Sequence, residues 1–274
     1  MEMDAKFRDY LVQEEKSPLT VEKYGADAGR FLSWLGQRRL TKQEVLAYKS
    51  ELIDRYAIAS VNSKLSSVNC YLKFIGRGDC CVKTVKQQQR IFLSEEKELT
   101  RQEYTRLLQA AKKKPRLCLL MQSICSTGIR VSEHRFITVE AAKAGYAQVR
   151  LKGKSRVVFL PDKLCKALLK YARQQKIRTG SIFITASGKP LNRCSIWAEM
   201  KKLCRTAKVS REKVFPHNLR HLFARTFYSL EKDIVRLADI LGHSSINTTR
   251  IYTMESGSIH RRQIGKMQLL PYIT

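Results

Sequence analysis

The apolar periodicity of this chain stops over CVKTVKQQQRIFLSEEKEL (Cys81–Leu99), a stretch that is basic at its start, acidic toward its end and without a sustained apolar stripe. Such a break forces the chain to bury two cores, because no single core can continue through residues that offer it no face. The 274 residues leave enough on either side for a domain, which typically takes about 50–250 residues. The expected division is a helical module over 1–85, a linker over 86–98 and a second domain over 99–274.

In the first module Ser17 is placed to cap a helix with Pro18 at its first position, and Val21, Tyr24, Phe31, Leu32 and Leu35 follow one helical face. TKQE (Thr41–Glu44) matches a capping box that opens another helix. Val61, Leu65, Val68, Leu72 and Ile75 hold a third stripe through alternating steps of four and three. In the second domain Thr100 is placed to cap a helix that carries Tyr104, Leu107 and Leu108 inward. CLLMQSICSTGIRVSEHRFI reads as helix, turn at Gly128, helix. AQVRLKGKSRVVFLP reads as a β-hairpin, two β-branched runs around the glycine-containing KGKS, and SIFIT as a candidate short strand. The expected fold class is mainly α with a small antiparallel β-sheet.

Charge narrows the partner. The chain carries 52 Lys and Arg against 24 Asp and Glu, a formal +28. Residues 1–100 hold 17 basic and 14 acidic side chains, residues 101–274 hold 35 and 10. A surplus of that size repels itself unless it meets a polyanion, so nucleic acid is the leading partner and the second domain its main contact. No basic leader precedes an apolar run, and no stretch approaches the roughly 18 uninterrupted apolar residues of a membrane span. A soluble intracellular protein without a membrane partner is expected. The eight cysteines include no CxxC pair, so mostly buried free thiols are expected rather than a zinc framework or disulfides.

Four stretches place functional side chains where packing does not demand them. They are TGIRVSE with Arg130, LKGKSR with Lys152 and Lys154, HNLRH with His217, Arg220 and His221, and LGHSSINTTRIYT with His243 and Tyr252. Taken singly, each suits an ordinary surface or core role. ADILGHSSINTTRIY also has the pattern of a helix-turn-helix DNA reader, a helix stopped at Gly242 and then a second helix rich in Ser, Asn, Thr and Arg. A sequence-specific regulator of that kind explains the charge but leaves Arg130, Lys152 and His217 without a task.

Phosphodiester cleavage employs the whole set. It needs a nucleophile, cations for charge growing on the nonbridging oxygens, and an acid for the leaving oxygen. Tyr252 can supply the first, and Arg130 and Arg220 the second through paired N–H donors. A hairpin lysine suits the third, while His217 or His243 can accept a proton or hold the phosphate. The sequence offers neither a carboxylate cluster for magnesium nor a P-loop, so no metal, cofactor or ATP is expected.

In the order Arg130, Lys152, His217, Arg220, His243, Tyr252, and with HNLRHLFA and LGHSSINTTRIYT around the last four, the chain resembles a tyrosine recombinase of the phage integrase family over nearly its whole length. The resemblance implies that Tyr252 attacks the scissile phosphate to form a 3′-phosphotyrosine and release a 5′-hydroxyl. Arg130 and Arg220 would bind the nonbridging oxygens, with a hydrogen bond from His243. Lys152 would protonate the leaving oxygen and His217 would assist proton transfer at the tyrosine, while His221 matches a position that usually supports the fold. The sequence departs from the family pattern at His134, where leucine is usual. Lys152 is the family's lysine if the turn is aligned on Gly153, and Lys154 is the alternative.

The same resemblance implies double-stranded DNA with specific recombination sites as substrate, a homo-tetramer that exchanges strands through a Holliday junction, and a cytoplasmic, nucleoid-associated location. It also implies that the first module is similar to a core-binding DNA clamp. A simple Xer-like or mobile-element recombinase without a further arm-site domain is expected, serving integration, excision or dimer resolution. A type IB topoisomerase is the weaker enzymatic alternative. SIHRRQIGKMQLL could form an amphipathic helix with Ile264, Met267 and Leu270 on one side, packing on its own domain or on a neighbouring subunit.

Overall fold

The computed structural model describes residues 2–86, 97–151, 154–252 and 266. The chain divides into two compact units, Met1–Gln89 and Arg90–Thr274.

The first unit holds α1 (Glu2–Gln13), α2 (Pro18–Leu35), α3 (Lys42–Arg55) and α4 (Ile58–Phe74). The caps at Ser17 and Thr41 form, with Ser17 Oγ accepting the Thr20 N–H and Thr41 Oγ1 that of Glu44, each at 3.3 Å; the expected capping box is only half made, because the Glu44 carboxylate accepts from Arg38 instead. Phe31, Val45, Val61, Leu65, Val68 and Leu72 are fully buried, each worth about 1.5–3 kcal/mol relative to exposure. Helix α1 adds to the expected set. Its inward face includes Phe7 and Leu11, and Phe7 meets Tyr71 edge-on at 5.2 Å.

The second unit begins with α5 (Arg101–Ala110), capped reciprocally by Thr100 and Glu103, and α6 (Pro115–Thr127). Leu117, Leu120, Met121 and Ile124 give α6 its apolar inner face in the larger core, beside the buried Ser123 and Thr127, whose hydroxyls donate to the Leu119 and Ser123 carbonyls. A six-residue 3₁₀ turn, Val131–Phe136, stands where the sequence suggested a second α-helix. Its cause is Glu133, whose carboxylate accepts the Arg130 N–H at 2.8 Å and closes the chain tightly. His134 is buried in that turn and donates Nδ1–H to the Val131 carbonyl, with its ring against Phe183.

Helix α7 (Val139–Ala144) leads into the antiparallel hairpin of β1 (Tyr146–Leu151) and β2 (Lys154–Phe159). SIFIT yields only isolated bridges, Thr138 with Ser181 and Ile184 with Pro190. Pro190 has no N–H to donate, which stops the second of them from growing into a ladder. Helices α8 (Asp162–Gln174), α9 (Arg193–Lys201), α10 (Cys204–Ala207), α11 (Pro216–Glu231), α12 (Ile234–Leu241) and α13 (Ile246–Thr249) follow, then a 3₁₀ turn over Arg250–Tyr252. The mainly helical class with a small antiparallel sheet is as expected.

The C-terminal stretch expected to be amphipathic lies outside the described residues except for Lys266. No helix among the described residues is long and apolar enough to cross a membrane. All eight cysteines are free, but only Cys80, Cys165 and Cys204 are buried and Cys194 is exposed.

Candidate active site

Two glycines let three elements converge. Gly128 ends α6 at φ +67°, and a Cβ there would lie 2.5 Å from the Phe223 ring of α11. Gly242 ends α12 at φ +63°, where a Cβ would lie 2.4 Å from Cδ of Arg156 on β2. Both positions combine the left-handed conformation with a space that admits hydrogen only.

Arg220 sits on α11 between these turns and is 1% exposed. One Nη donates to the Gly128 carbonyl, and the other to the Leu241 carbonyl at 2.8 Å and to His243 Nε2 at 2.8 Å. The guanidinium is thereby aimed before any ligand arrives. Burial first, then the nearby Arg130 charge, lowers its pKa to about 10, which leaves it charged at neutral pH. Arg130 enters from the 3₁₀ turn, donating to Glu133 Oε1 at 3.0 Å and to the Gly242 carbonyl at 3.2 Å, and keeps 40% of its side chain exposed.

His243 follows the α12 turn. A guanidinium has no lone pair to offer, so Nε2 accepts from Arg220 and, in the neutral ring, Nδ1–H donates to Thr249 Oγ1 at 2.9 Å. Burial and then the Arg220, Arg130 and Arg156 charges hold the ring's pKa down to about 4. His221 is lowered to about 4 by burial, His217 and Arg220. His217 is lowered by desolvation, Arg220 and Arg130.

Tyr252 is 4% exposed and packs among Ala224, Leu237 and Leu241. Its ring stands edge-on to His221 at 4.9 Å and stacks on His243 at 6.1 Å, while His217 meets His221 at 4.5 Å. One helical turn separates His217 from Arg220 on α11, and both open into a cleft of about 690 Å³ with Arg130. Lys97, Arg193 and Lys201 line the same cleft, beside Trp197 and one acid, Glu212.

Five of the six expected residues, Arg130, His217, Arg220, His243 and Tyr252, therefore come together, whereas Lys152 and the side chain of Lys154 lie outside the described residues. Sequence reasoning missed Glu133 and Thr249, which bond Arg130 and His243, Arg156, which bonds Glu133, and the cleft residues Arg193 and Lys201. Among the described residues no group of three or more His, Cys, Asp or Glu stands where it could hold a metal ion. The helix-turn-helix pattern is not realised as a DNA reader would need it. Its second helix, α13, has four residues and buries Thr249 completely.

The profile of the phage integrase family matches residues 97–257, the span that holds every one of these residues. The chain belongs to the phage integrase family. Its relatives include tyrosine recombinase XerA of Pyrococcus furiosus, 28% identical over 274 residues, covering 97% of this chain and 93% of that protein. Tyrosine recombinase XerH of Campylobacter jejuni is 36% identical over 141 residues, 49% of this chain and 40% of that protein. Among solved structures, XerH site-specific recombinase bound to difH substrate in a pre-cleavage complex superposes with a TM-score of 0.72 at 18% identity, over 97% of this chain and 84% of that one. A lambda integrase tetramer bound to a Holliday junction gives 0.71 at 19%, over 92% and 76%. At these identities the structural likeness speaks to the fold. The expected resemblance is borne out, and with it an enzyme of the site-specific tyrosine recombinase class.

Proposed function

We propose that this integrase-family enzyme cleaves and rejoins double-stranded DNA at specific sites through a 3′-phosphotyrosine. The observation that carries the reading is Arg220, a 1% exposed guanidinium fixed by two backbone carbonyls and His243 beneath a cleft that also receives Arg130 and His217.

In the forward step Oη of Tyr252 attacks phosphorus, the P–O5′ bond breaks, and the phenol proton passes to His217. A proton from Lys152, or Lys154 in the alternative register, goes to the leaving 5′ oxygen and yields a 5′-hydroxyl. Arg130, Arg220 and His243 hold the nonbridging oxygens. Arg156 is paired with Glu133, so the formal charge that faces those oxygens is the +2 of Arg130 and Arg220, a match for the negative charge that gathers there. Removing one such preorganised donor typically costs about 10²–10³ in rate. The bond energy stays in the phosphotyrosine, so a 5′-hydroxyl from another strand reverses the step without ATP or a metal.

The reading extends to a homo-tetramer on two sites, strand exchange through a Holliday junction, and a role in integration, excision or dimer resolution in the cytoplasm at the nucleoid. The first module serves as a DNA clamp. Support comes from the basic cleft and from the family's DNA-bound relatives.

Covalent trapping tests it. The full chain is incubated with nicked suicide DNA carrying its site, without metal or ATP, beside Tyr252→Phe. A DNA-linked band on a denaturing gel that vanishes in the variant is expected. A folded, DNA-binding wild type that yields no band would overturn the reading.

A further inference from the structure

Arg156 inverts the pattern of its strand. Along β2 the exposed face carries Ser155, Val157 and Phe159, the last 78% exposed, while Arg156 faces inward with Val158 and lies opposite Val149 of β1. Its side chain is 13% exposed. It donates to Glu133 Oε2 at 2.5 Å and to the Ile240 carbonyl at 2.5 Å, and its stem passes where a Cβ on Gly242 would collide with it. Glu133 is itself 1% exposed and also accepts from the backbone and side chain of Arg130. Arg130 in turn donates to the Gly242 carbonyl. The two arginines thus hold the same carboxylate and the same turn, the turn that delivers His243.

Packing alone does not explain this arrangement. Taking a guanidinium and a carboxylate out of water is costly, and a well-packed apolar residue would hold an inward strand position at lower cost. The ion pair instead fixes geometry: it ties one strand of the hairpin to both phosphate-facing loops through charge-assisted bonds of short reach. Lys154 and Lys152 stand two and four residues before Arg156 on the same hairpin.

We infer that Arg156 is a positioning residue for the cleavage step, locking β2, the strand that follows Lys152 in sequence, onto the loops that carry Arg130 and His243. The inference rests on the proposed recombinase reading, in which a hairpin lysine protonates the leaving oxygen. Without the lock, Arg130 and Arg220 still hold the phosphate, but the proton is delivered from the wrong place.

A change of leaving atom tests this. Single-turnover cleavage by the full chain is compared on ordinary site DNA and on DNA with sulfur at the 5′-bridging position, where a thiolate departs without an acid because its pKa is low. Arg156→Met keeps the inward position packed. On ordinary DNA it is expected to slow cleavage by about 100-fold, within the range of a lost general acid. On the sulfur substrate it should return to within about five-fold of wild type, as should Lys152→Ala if Lys152 is the acid. Thermal unfolding and DNA binding of Arg156→Met are measured in parallel. If that variant fails to fold, Arg156→Lys, which keeps a charge but reaches only one of the two acceptors, is put to the same pair of substrates. Equal slowing on both substrates, or no slowing on either, would overturn the positioning role. A wild type that forms no covalent product on either DNA would instead overturn the recombinase reading.

Discussion

The two sides of the site are built differently. On the arginine side, Arg130, Arg156 and Arg220 make eight hydrogen bonds to Glu133, His243 and the carbonyls of Gly128, Ile240, Leu241 and Gly242, counting Arg130's backbone N–H. On the tyrosine side, His217, His221 and Tyr252 meet through ring contacts at 4.5 and 4.9 Å. Charge-assisted bonds to backbone fix direction as well as distance, whereas ring packing is weakly directional. The contrast fits the chemistry: oxyanion donors gain from being preorganised, while a nucleophile must change partners as it attacks and is later displaced.

Breaking the rigid side should therefore have the largest effect. Arg220→Ala is expected to slow covalent trapping by at least about 10³-fold, the scale of a lost transition-state arginine. Arg220→Lys should fall almost as far, since one ammonium cannot reach Gly128, Leu241 and His243 together. Cleavage by Arg220→Lys near the wild-type rate would mean that charge, not the aimed fork, is what matters.

The scaffold beneath it comes next. Gly128→Ala adds left-handed strain to a collision with Phe223 and should cost about 2–5 kcal/mol in denaturant unfolding, summing strain and overpacking. Gly76→Ala is the control. Its φ is +73° but nothing lies within 4 Å of a Cβ, so strain alone, about 1–2 kcal/mol, is expected. Equal losses at the two glycines would remove the case for a tightly built arginine side.

How much of this was legible follows from what a one-dimensional pattern can carry. Caps at Ser17, Thr41 and Thr100 and the stripe of α4 were readable because they depend on neighbours within a turn. That Arg130, His217, Arg220, His243 and Tyr252 belong near one another was legible only through the resemblance, which supplied their order, and not through any local pattern. Glu133 and Thr249 lie inside quoted motifs, yet their roles depend on partners brought close by folding, with Glu133 meeting Arg156 across 23 positions. Arg156 left one local signal, an arginine in register with Val158 while Val157 and Phe159 take the opposite face. That signal is weak beside the glycine-containing turn, which is what marks the segment as a hairpin. The second helix after Gly242 failed as a helix-turn-helix element because four residues of helix cannot fill a groove.

A smaller effect would sharpen the comparison at its seam, where His243 belongs to both sides. In the free protein Nε2 accepts from Arg220 and Nδ1–H points to Thr249. To donate to a phosphate oxygen the ring must carry its proton on Nε2, and the Thr249 hydroxyl can serve either tautomer because it donates as well as accepts. Thr249→Val keeps the buried volume and leaves Nδ1 without a partner. About a ten-fold loss in cleavage is expected, roughly one buried hydrogen bond, with Thr249→Ser close to wild type. If serine and valine behave alike, Thr249 is packing only.

The smallest effect on catalysis belongs to the ring side. His221 Nε2 is buried without a partner and its ring only packs between His217 and Tyr252. His221→Phe should preserve that packing and leave cleavage near the wild-type rate at pH 7. Its signature lies in the pH dependence of stability. The folded pKa of about 4 is below the ordinary 6.5, so the unfolded chain binds this proton more readily and protonation favours unfolding. The stability that His221 contributes is complete above pH 6.5 and drains away as pH falls toward 4. Thermal unfolding of wild type should drop over that interval, and His221→Phe should flatten part of the drop while His243 accounts for another part, its pKa being held down to about 4 as well. A cleavage defect in His221→Phe as large as that of Arg220→Ala would end the division into a bonded side and a packed side, since a ring without nitrogen would then have removed a working proton carrier.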